Sequence, residues 1–167
     1  MIETERLILR QWQPDDIRAF VAMNADPRVM EFFVSTLTEE QSIAFAGRIA
    51  EHFAEKGFGW WAVEVRGSMP FAGFVGLSVA RFEAHFTPCV EIGWRLVHAA
   101  WGKGYATELV LHCVVIARRQ THWPVLRAFA HPDNIASQRV LSKAGFRQER
   151  FVPEMERFLY SLALRAS

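Results

Sequence analysis

A glycine-containing loop between a strand and a helix is the part of this sequence best suited to chemistry. Residues 90–97 have the pattern of a strand, and Trp101-Gly102-Lys103-Gly104 leads into a helix. A helix N-terminus leaves backbone N–H groups free, and these groups attract phosphate. Gly102 and Gly104 allow positive φ and a close approach of a ligand to the backbone. The pattern predicts a phosphate or pyrophosphate site, and it also fits an ordinary glycine turn before a helix.

Two common phosphate-binding loops are excluded by the residues present. A P-loop requires G-x-x-x-x-G-K-S/T, but Val97 occupies its first glycine position and Gly104 follows Lys103. A dinucleotide-binding G-x-G-x-x-G fingerprint would need glycine where Thr107 stands. It would also need an acidic residue about 20 positions further on, and the sequence has none between Glu108 and Asp133.

A second segment with polar residues at fixed spacing follows the next strand along the chain. It extends from Asn134 to Phe146 and has the pattern of a short helix, with Asn134 as N-cap and Gly145 just beyond the end. A capped helix accounts for Asn134 and Gly145 but gives no reason for Ser137.

Together the two segments resemble the GNAT superfamily of N-acetyltransferases, and more closely its RimJ/RimL-type ribosomal-protein N-acetyltransferases. Those proteins have an E-I-G-W/Y strand, a W-G-x-G-Y-A-T-E loop and an N-x-x-S-x-R-v-l-x-K-x-G-F segment. Residues 91–94, 101–108 and 134–146 match these motifs, and residues 4–10 match the family's opening. Residues 157–160 depart from it, because they read R-F-L-Y where the family often has H-V-L-Y.

The resemblance implies an acetyl-CoA site built from these segments. Backbone groups near Leu96 and Val97 would pair with pantetheine, and residues 102–107 would hold the pyrophosphate. The strands ending at Leu96 and Ala130 would splay apart to admit the pantetheine arm. The implied acetyl-CoA-binding residues are Leu96, Val97, Gly102, Lys103, Gly104, Tyr105, Ala106, Thr107, Asn134 and Ser137.

The resemblance also implies two catalytic residues, Glu91 and Ser137. Glu91 stands where related acetyltransferases place a catalytic glutamate, so it is the candidate base, acting directly or through water. A structural pairing with Arg95 or with a neighbouring strand is the alternative. Ser137 would contact the CoA sulfur and return a proton, with positioning favoured over full donation. Strand alternation places Glu91, Gly93 and Arg95 on one face, toward the expected cleft, and partial burial there would raise the pKa of Glu91. His131 is a second candidate base.

Hydrophobic periodicity predicts the elements that position these residues. Their order is β, α, α, β, β, β, α, β, α, β, β. The predicted strands are 6–12, 60–66, 71–79, 89–96, 125–130, 146–151 and 157–164. A first helix is predicted to begin at residues 14–16, and three further helices are predicted over 38–57, 104–121 and 134–143. We expect one α+β domain over residues 1–167, with a central mixed, mostly antiparallel sheet flanked by helices.

Composition restricts the function further. The chain is 51% hydrophobic and 22% charged, as folded domains are, and its net charge of +1 argues against a non-specific nucleic-acid binder. Cys89, Cys113 and the histidines lack metal-ligand spacing, so no metal is expected. The first residues lack a signal-peptide pattern and the longest apolar stretch, 109–117, is too short to span a membrane, so we expect a cytoplasmic protein.

The expected function is acetyl-CoA-dependent N-acetylation of a protein or peptide N-terminal amine, by a monomer or homodimer. Two alternatives stay open: acetylation of a small amine (amino acid, polyamine or aminoglycoside) and non-catalytic acyl-CoA binding. The acceptor end has five candidate determinants: Phe32, Phe33, Trp60, Trp61 and the connection 81–88.

Overall fold

The computed structural model describes residues 1–120 and 122–165, in which eight strands form one open sheet. The strands are β1 (Ile2–Glu3), β2 (Leu7–Arg10), β3 (Trp60–Val65), β4 (Met69–Val79), β5 (Val90–Leu96), β6 (Val125–Ala130), β7 (Arg147–Val152) and β8 (Arg157–Ala163). The helices are α1 (Asp16–Ala25), α2 (Glu39–Lys56), α3 (Tyr105–Gln120) and α4 (Ile135–Lys143). The predicted α+β class is therefore confirmed.

The strand order is β1-β2-β3-β4-β5-β6-β8-β7. Every neighbouring pair is antiparallel except β5 and β6, which are parallel. Because parallel strands end at the same edge of a sheet, the carboxyl ends of β5 and β6 lie side by side. The chain passes from β5 into the glycine loop and α3, and from β6 into α4. The topology thus brings both sequence motifs to one edge.

Sequence periodicity missed β1 and misplaced several boundaries. The two residues of β1 pair with Ile8 and Leu9 of β2, and two residues are too few to show a period. β4 begins at Met69, two residues before the predicted start at 71, because Met69 already pairs with Val65 of β3. The predicted end of the third helix, Thr121, lies outside the described residues.

The two layers of helices pack on opposite faces of the sheet. On one face, Phe20 and Met23 of α1 and Ile49 of α2 pack against Phe71 and Phe74 of β4. The other face holds the larger cluster, in which apolar residues of α3 and α4 cover β5 and β6. That cluster includes Leu109, Val110, Cys113, Leu141, Val90, Ile92 and Leu126.

Helix α2 begins and ends at the residues that the sequence indicates. The Thr38 hydroxyl accepts the Gln41 N–H at 3.2 Å, and the Gln41 side chain accepts the Thr38 N–H at 2.9 Å, which completes a capping box. Gly57 closes the helix with a left-handed φ of 72°. This fixed end leads directly into β3 and so holds Trp60 at the start of that strand.

Candidate active site

The glycine loop has the conformation expected of a backbone anion site. Gly102 and Gly104 have φ of 72° and 80°, and α3 begins at Tyr105. A side chain at Gly102 would meet no other atom within 4 Å, so the space beside its backbone is open. Trp101 anchors the loop to the sheet, because its indole N–H donates to the Leu96 carbonyl at 2.9 Å. The loop therefore lies over the end of β5, with its glycine backbone exposed.

The first turn of α3 presents the rest of the predicted loop residues. Lys103 is exposed, whereas Tyr105, Ala106 and Thr107 are half-buried. Because an α-helix cannot satisfy its first four N–H groups internally, this turn offers several donors toward the loop.

β5 and β6 diverge just beyond Glu91. They pair only at Val90 with Leu126 and at Glu91 with Arg127, although β5 continues for five more residues. The Val97 N–H donates to the Ala72 carbonyl at 2.9 Å. Alternation along an antiparallel pair then directs the Leu96 N–H the other way, into the gap between β5 and β6. The Leu96 amide, rather than the Val97 amide, is thus the one that faces this gap.

Glu91 lies at the vertex of this gap, on the sheet face covered by α1 and α2. No other described side chain pairs with its carboxylate. Burial without a partner raises the pKa of Glu91 from 4.5 to about 7, because the charged form loses its hydration. Next along the same face is Gly93, where a Cβ would lie 2.8 Å from the Trp60 ring. Glycine here leaves room for the indole of Trp60 against the backbone of β5.

Arg95, the next residue on that face, does not pair with Glu91. Its guanidinium donates to the Asn24 side-chain oxygen at 2.6 Å and lies 4.2 Å from the centre of the Phe33 ring. Its Nε is buried and has no hydrogen-bond partner among the residues that the structure describes. Burial lowers the pKa of Arg95 to about 10. Glu91 and Arg95 are therefore two separate buried ionisable groups on one strand.

Two adjacent phenylalanines bridge the diverging strands on the same face. Phe33 covers Arg95 of β5, whereas Phe32 stacks on His131, just after β6, with ring centroids 5.4 Å apart. The guanidinium of Arg157, at the start of β8, donates to the Phe32 carbonyl. The segment between α1 and α2 thus spans the gap, and sequence reasoning did not identify Arg157 as the residue that holds it.

The other expected acceptor-end residues separate into two groups. Trp60 lies beside the gap, but Trp61 is part of the large core cluster. In the 81–88 connection, Phe82 and Phe86 pack against Phe129 of β6, with ring centroids about 6 Å apart. This connection therefore covers part of β6 on the sheet face that holds Glu91.

Asn134 and Ser137 lie at the start of α4, at the same edge as the loop. The Asn134 side-chain oxygen accepts the Ser137 N–H at 3.0 Å, which confirms the predicted cap. The cap uses the amide oxygen and leaves the Asn134 NH₂ group available to a ligand. The Ser137 hydroxyl makes no hydrogen bond to another described residue, so it too is available.

The N-terminal segment also reaches this site. Arg6 donates to the Lys103 carbonyl at 2.7 Å and to the Glu108 carboxylate at 2.8 Å. Sequence reasoning used residues 4–10 only as part of a family likeness and assigned them no role. No local pattern links Arg6 with Glu108, which lies 102 positions further along the chain, so no signal of this contact was present in the sequence.

Comparison with known proteins places the chain in a family. Residues 6–147 match the model of the acetyltransferase (GNAT) domain. The chain belongs to the GNAT acetyltransferase family. It is 30% identical over 151 residues to the uncharacterized N-acetyltransferase YoaA of Bacillus subtilis, which covers 89% of this chain and 84% of YoaA.

Solved structures share the fold of this GNAT acetyltransferase. An acetyltransferase from Agrobacterium tumefaciens has a TM-score of 0.83 at 22% identity, covering 96% of this chain and 92% of its own. RimL, a ribosomal-protein α-N-acetyltransferase in complex with coenzyme A, has a TM-score of 0.77 at 13% identity, covering 96% and 95%. This acetyltransferase has no cluster of three metal-ligating side chains and no membrane-spanning helix within its described residues.

Proposed function

We propose that this acetyltransferase transfers the acetyl group of acetyl-CoA to the N-terminal α-amine of a protein or peptide, with Glu91 as the general base. The observation that carries the proposal is the half-buried carboxylate of Glu91, with which no described side chain pairs, at the vertex of the gap between β5 and β6. A base with a pKa of about 7 is half deprotonated near neutral pH and can accept the proton of an ammonium group.

Two edges of the gap offer donors to acetyl-CoA. The backbone from Gly102 to Thr107 would hold the pyrophosphate, as helix N-termini do in other nucleotide sites. The Leu96 N–H and the Asn134 NH₂ group would bond pantetheine, since the first faces the gap, the second lies at its edge, and neither bonds another described residue. The coenzyme A bound to RimL, which shares this fold, supports the same ligand here.

The chemistry then requires little beyond position and proton transfer. Once Glu91, directly or through water, has taken a proton from the acceptor ammonium, the free amine attacks the thioester carbonyl. The tetrahedral intermediate needs an N–H donor for its oxyanion, and the Leu96 N–H is the nearest candidate on β5. Its collapse breaks the C–S bond, and the remaining extra proton on the attacking nitrogen passes to the departing CoA sulfur, which the Ser137 hydroxyl would hold. A CoA thiolate is a good leaving group, because free thiols have pKa values of about 8.5.

Charge around the gap favours a peptide over a polycationic acceptor. Arg95 and Arg157 both border it, and neither pairs with a carboxylate among the described residues. The donors of Arg157 go to the backbone carbonyls of Phe32 and Glu156. A polyamine or an aminoglycoside would place several ammonium groups beside these guanidinium groups, and like charges repel. The RimJ/RimL-type loop motif at residues 101–108 supports a protein acceptor as well.

A thiol-release assay with matched acceptors tests the proposal. Both peptides of the matched pair carry one internal lysine, and they differ only at the N-terminus, which is free in one and formylated in the other. We expect acetyl-CoA to be consumed with the free N-terminus and not with the formylated one. Spermidine, kanamycin and free amino acids complete the panel. Turnover with only these small amines would reject the peptide acceptor, and no turnover with any of them would reject the acceptor classes considered.

A further inference from the structure

The N-terminal residues 4–6 form a hydrogen-bonded network with the loop and the first turn of α3. The Glu108 carboxylate accepts the Thr4 hydroxyl at 2.5 Å, the Arg6 backbone N–H at 3.0 Å and the Arg6 Nε at 2.8 Å. Burial alone would raise the pKa of Glu108, but the hydrogen bonds from Thr4 and Arg6 outweigh it and lower that pKa. Glu108 is thus a fixed anion that receives three donors from residues 4–6.

With its Nε held by Glu108, Arg6 reaches the loop with the rest of its guanidinium. Its Nη1 donates to the Lys103 carbonyl at 2.7 Å, and its Cζ lies 4.8 Å from the centre of the Tyr105 ring. Its Nη2 lies 3.3 Å from the position that a Cβ on Gly104 would take. Arg6 therefore contacts both sides of the Lys103–Gly104 peptide bond.

The hydrogen bond to Lys103 fixes the orientation of this peptide. In a trans peptide the C=O and the following N–H point in opposite directions. Since the Lys103 carbonyl points to Arg6, the Gly104 N–H points away from Arg6, and no described residue accepts it. Glycine at positions 102 and 104 leaves the loop free to rotate its peptides, and a rotated Lys103 carbonyl would repel a phosphate. Arg6 prevents that rotation.

We propose that Arg6 is a positioning residue for acetyl-CoA: it holds the Lys103–Gly104 peptide so that the Gly104 N–H faces the pyrophosphate, and Glu108 and Thr4 hold Arg6. This inference rests on the pyrophosphate site of the proposed function. It assigns a role to the N-terminal segment, which lies far from the loop in sequence. It also explains the glutamate that ends the loop motif.

Two acetyl donors separate this role from a general structural one. Acetyl-CoA has the pyrophosphate, whereas S-acetylpantetheine ends before it. For Arg6→Ala we expect the Kd of acetyl-CoA, measured by calorimetry, to rise about tenfold to a hundredfold, the range for losing a hydrogen bond from a charged donor. The kcat/KM for S-acetylpantetheine should stay within twofold of the parent protein. Arg66→Ala is the matched control: Arg66 is equally exposed (43%), its side chain pairs with Glu3 at 2.6 Å and not with Glu108 or Lys103, and the variant keeps the backbone hydrogen bond from residue 66 to the Arg6 carbonyl.

Two further variants keep the test decisive if Arg6→Ala folds poorly. Arg6→Lys retains the charge but replaces the two rigidly spaced nitrogens that bond Glu108 and Lys103 by one ammonium on a flexible stem, so it should weaken acetyl-CoA binding almost as much. Glu108→Gln should weaken it less, and the Arg6→Ala/Glu108→Gln double variant should bind no worse than Arg6→Ala, because Glu108 acts through Arg6. Unchanged acetyl-CoA affinity in Arg6→Lys, or equal losses with both donors, would overturn the inference. Failure of the unmodified protein to bind acetyl-CoA would overturn the pyrophosphate site itself.

Discussion

At the scale of single residues, Glu91 and Arg95 are two side chains of the candidate site that lower the free energy of unfolding. Each is ionisable, each is half-buried, and neither compensates the other. Isolated buried charges are destabilising unless they are paired or neutralised, so their retention on one strand is not explained by packing. The proposed acceptor would account for this arrangement, because it brings an ammonium group to Glu91 and no further positive charge to Arg95.

Replacing Glu91 by glutamine should remove the base while keeping the shape of the side chain. We expect turnover to fall about 10²–10⁴-fold, the usual contribution of a general base, with the Kd of acetyl-CoA unchanged. In the unmodified enzyme, turnover should fall about tenfold per pH unit below pH 7, because protonated Glu91 cannot accept a proton. Steady-state rates from pH 5 to 9 check this. A variant within threefold of the parent rate and with the same pH profile would show that Glu91 is not the base.

The same substitution should stabilise the protein at high pH. Because the pKa of Glu91 is about 7 when folded and 4.5 when exposed, the folded state binds the extra proton between these values, and stability declines as pH rises through that window. The penalty above pH 7 is on the order of 3 kcal/mol. Urea unfolding should therefore find Glu91→Gln more stable than the parent at pH 8 and equal to it at pH 4. Equal stability at both values would contradict an unpaired, buried carboxylate.

At the scale of elements, the start of α4 combines a structural and a binding role in one side chain. The oxygen of Asn134 caps the helix, and its NH₂ group is free for pantetheine. Asn134→Ala should cost about 1 kcal/mol of stability and weaken acetyl-CoA binding. Asn134→Asp keeps the cap oxygen and replaces the NH₂ donor by a negatively charged oxygen, so it should weaken binding with little loss of stability. Calorimetry and urea unfolding on both variants check this, and parent-like affinity in Asn134→Asp would remove the binding role.

Ser137, one turn into the same helix, differs from Asn134 because its side chain has no structural role among the described contacts. Its hydroxyl makes no hydrogen bond to another described residue, so Ser137→Ala should lower turnover while leaving the unfolding free energy within about 0.5 kcal/mol of the parent. A larger loss of stability with turnover intact would assign Ser137 a structural role.

The helices and long strands were accessible from sequence because their signals are local. The Thr38 capping box, the glycine after α2 and the alternation in β5 each depend on residues a few positions apart. The contacts of Arg6 with Glu108 and of Arg157 with Phe32 join residues 102 and 125 positions apart. Neither has a periodic or motif signal, so only the folded chain shows them. The use of the Val97 N–H within the sheet likewise depends on a register that composition does not specify.

At the scale of the whole molecule, the sheet joins two unequal halves at one weak seam. β5 and β6 pair at only two positions, and the segment with Phe32 and Phe33 spans the gap beyond them. One large core cluster on the α3 side nevertheless includes residues from both halves, such as Leu77 and Leu126. The seam is therefore closed by packing on the α3 side and bridged by the Phe32–Phe33 segment on the α1 side.

Acetyl-CoA bound in this seam should stabilise the molecule as a unit. At about 100 times its Kd, a ligand that binds only the folded state adds about 2.7 kcal/mol, which for a chain of this size is a rise in Tm of roughly 5–10 °C. Because the α3 cluster spans the seam, we expect one transition by circular dichroism, with amide protection increasing equally in α1 and α3. Free adenosine is the control and should shift the Tm far less, because it lacks the pyrophosphate and the pantetheine arm. Two separate transitions, or protection gained in α3 alone, would show that the halves on either side of the seam unfold independently.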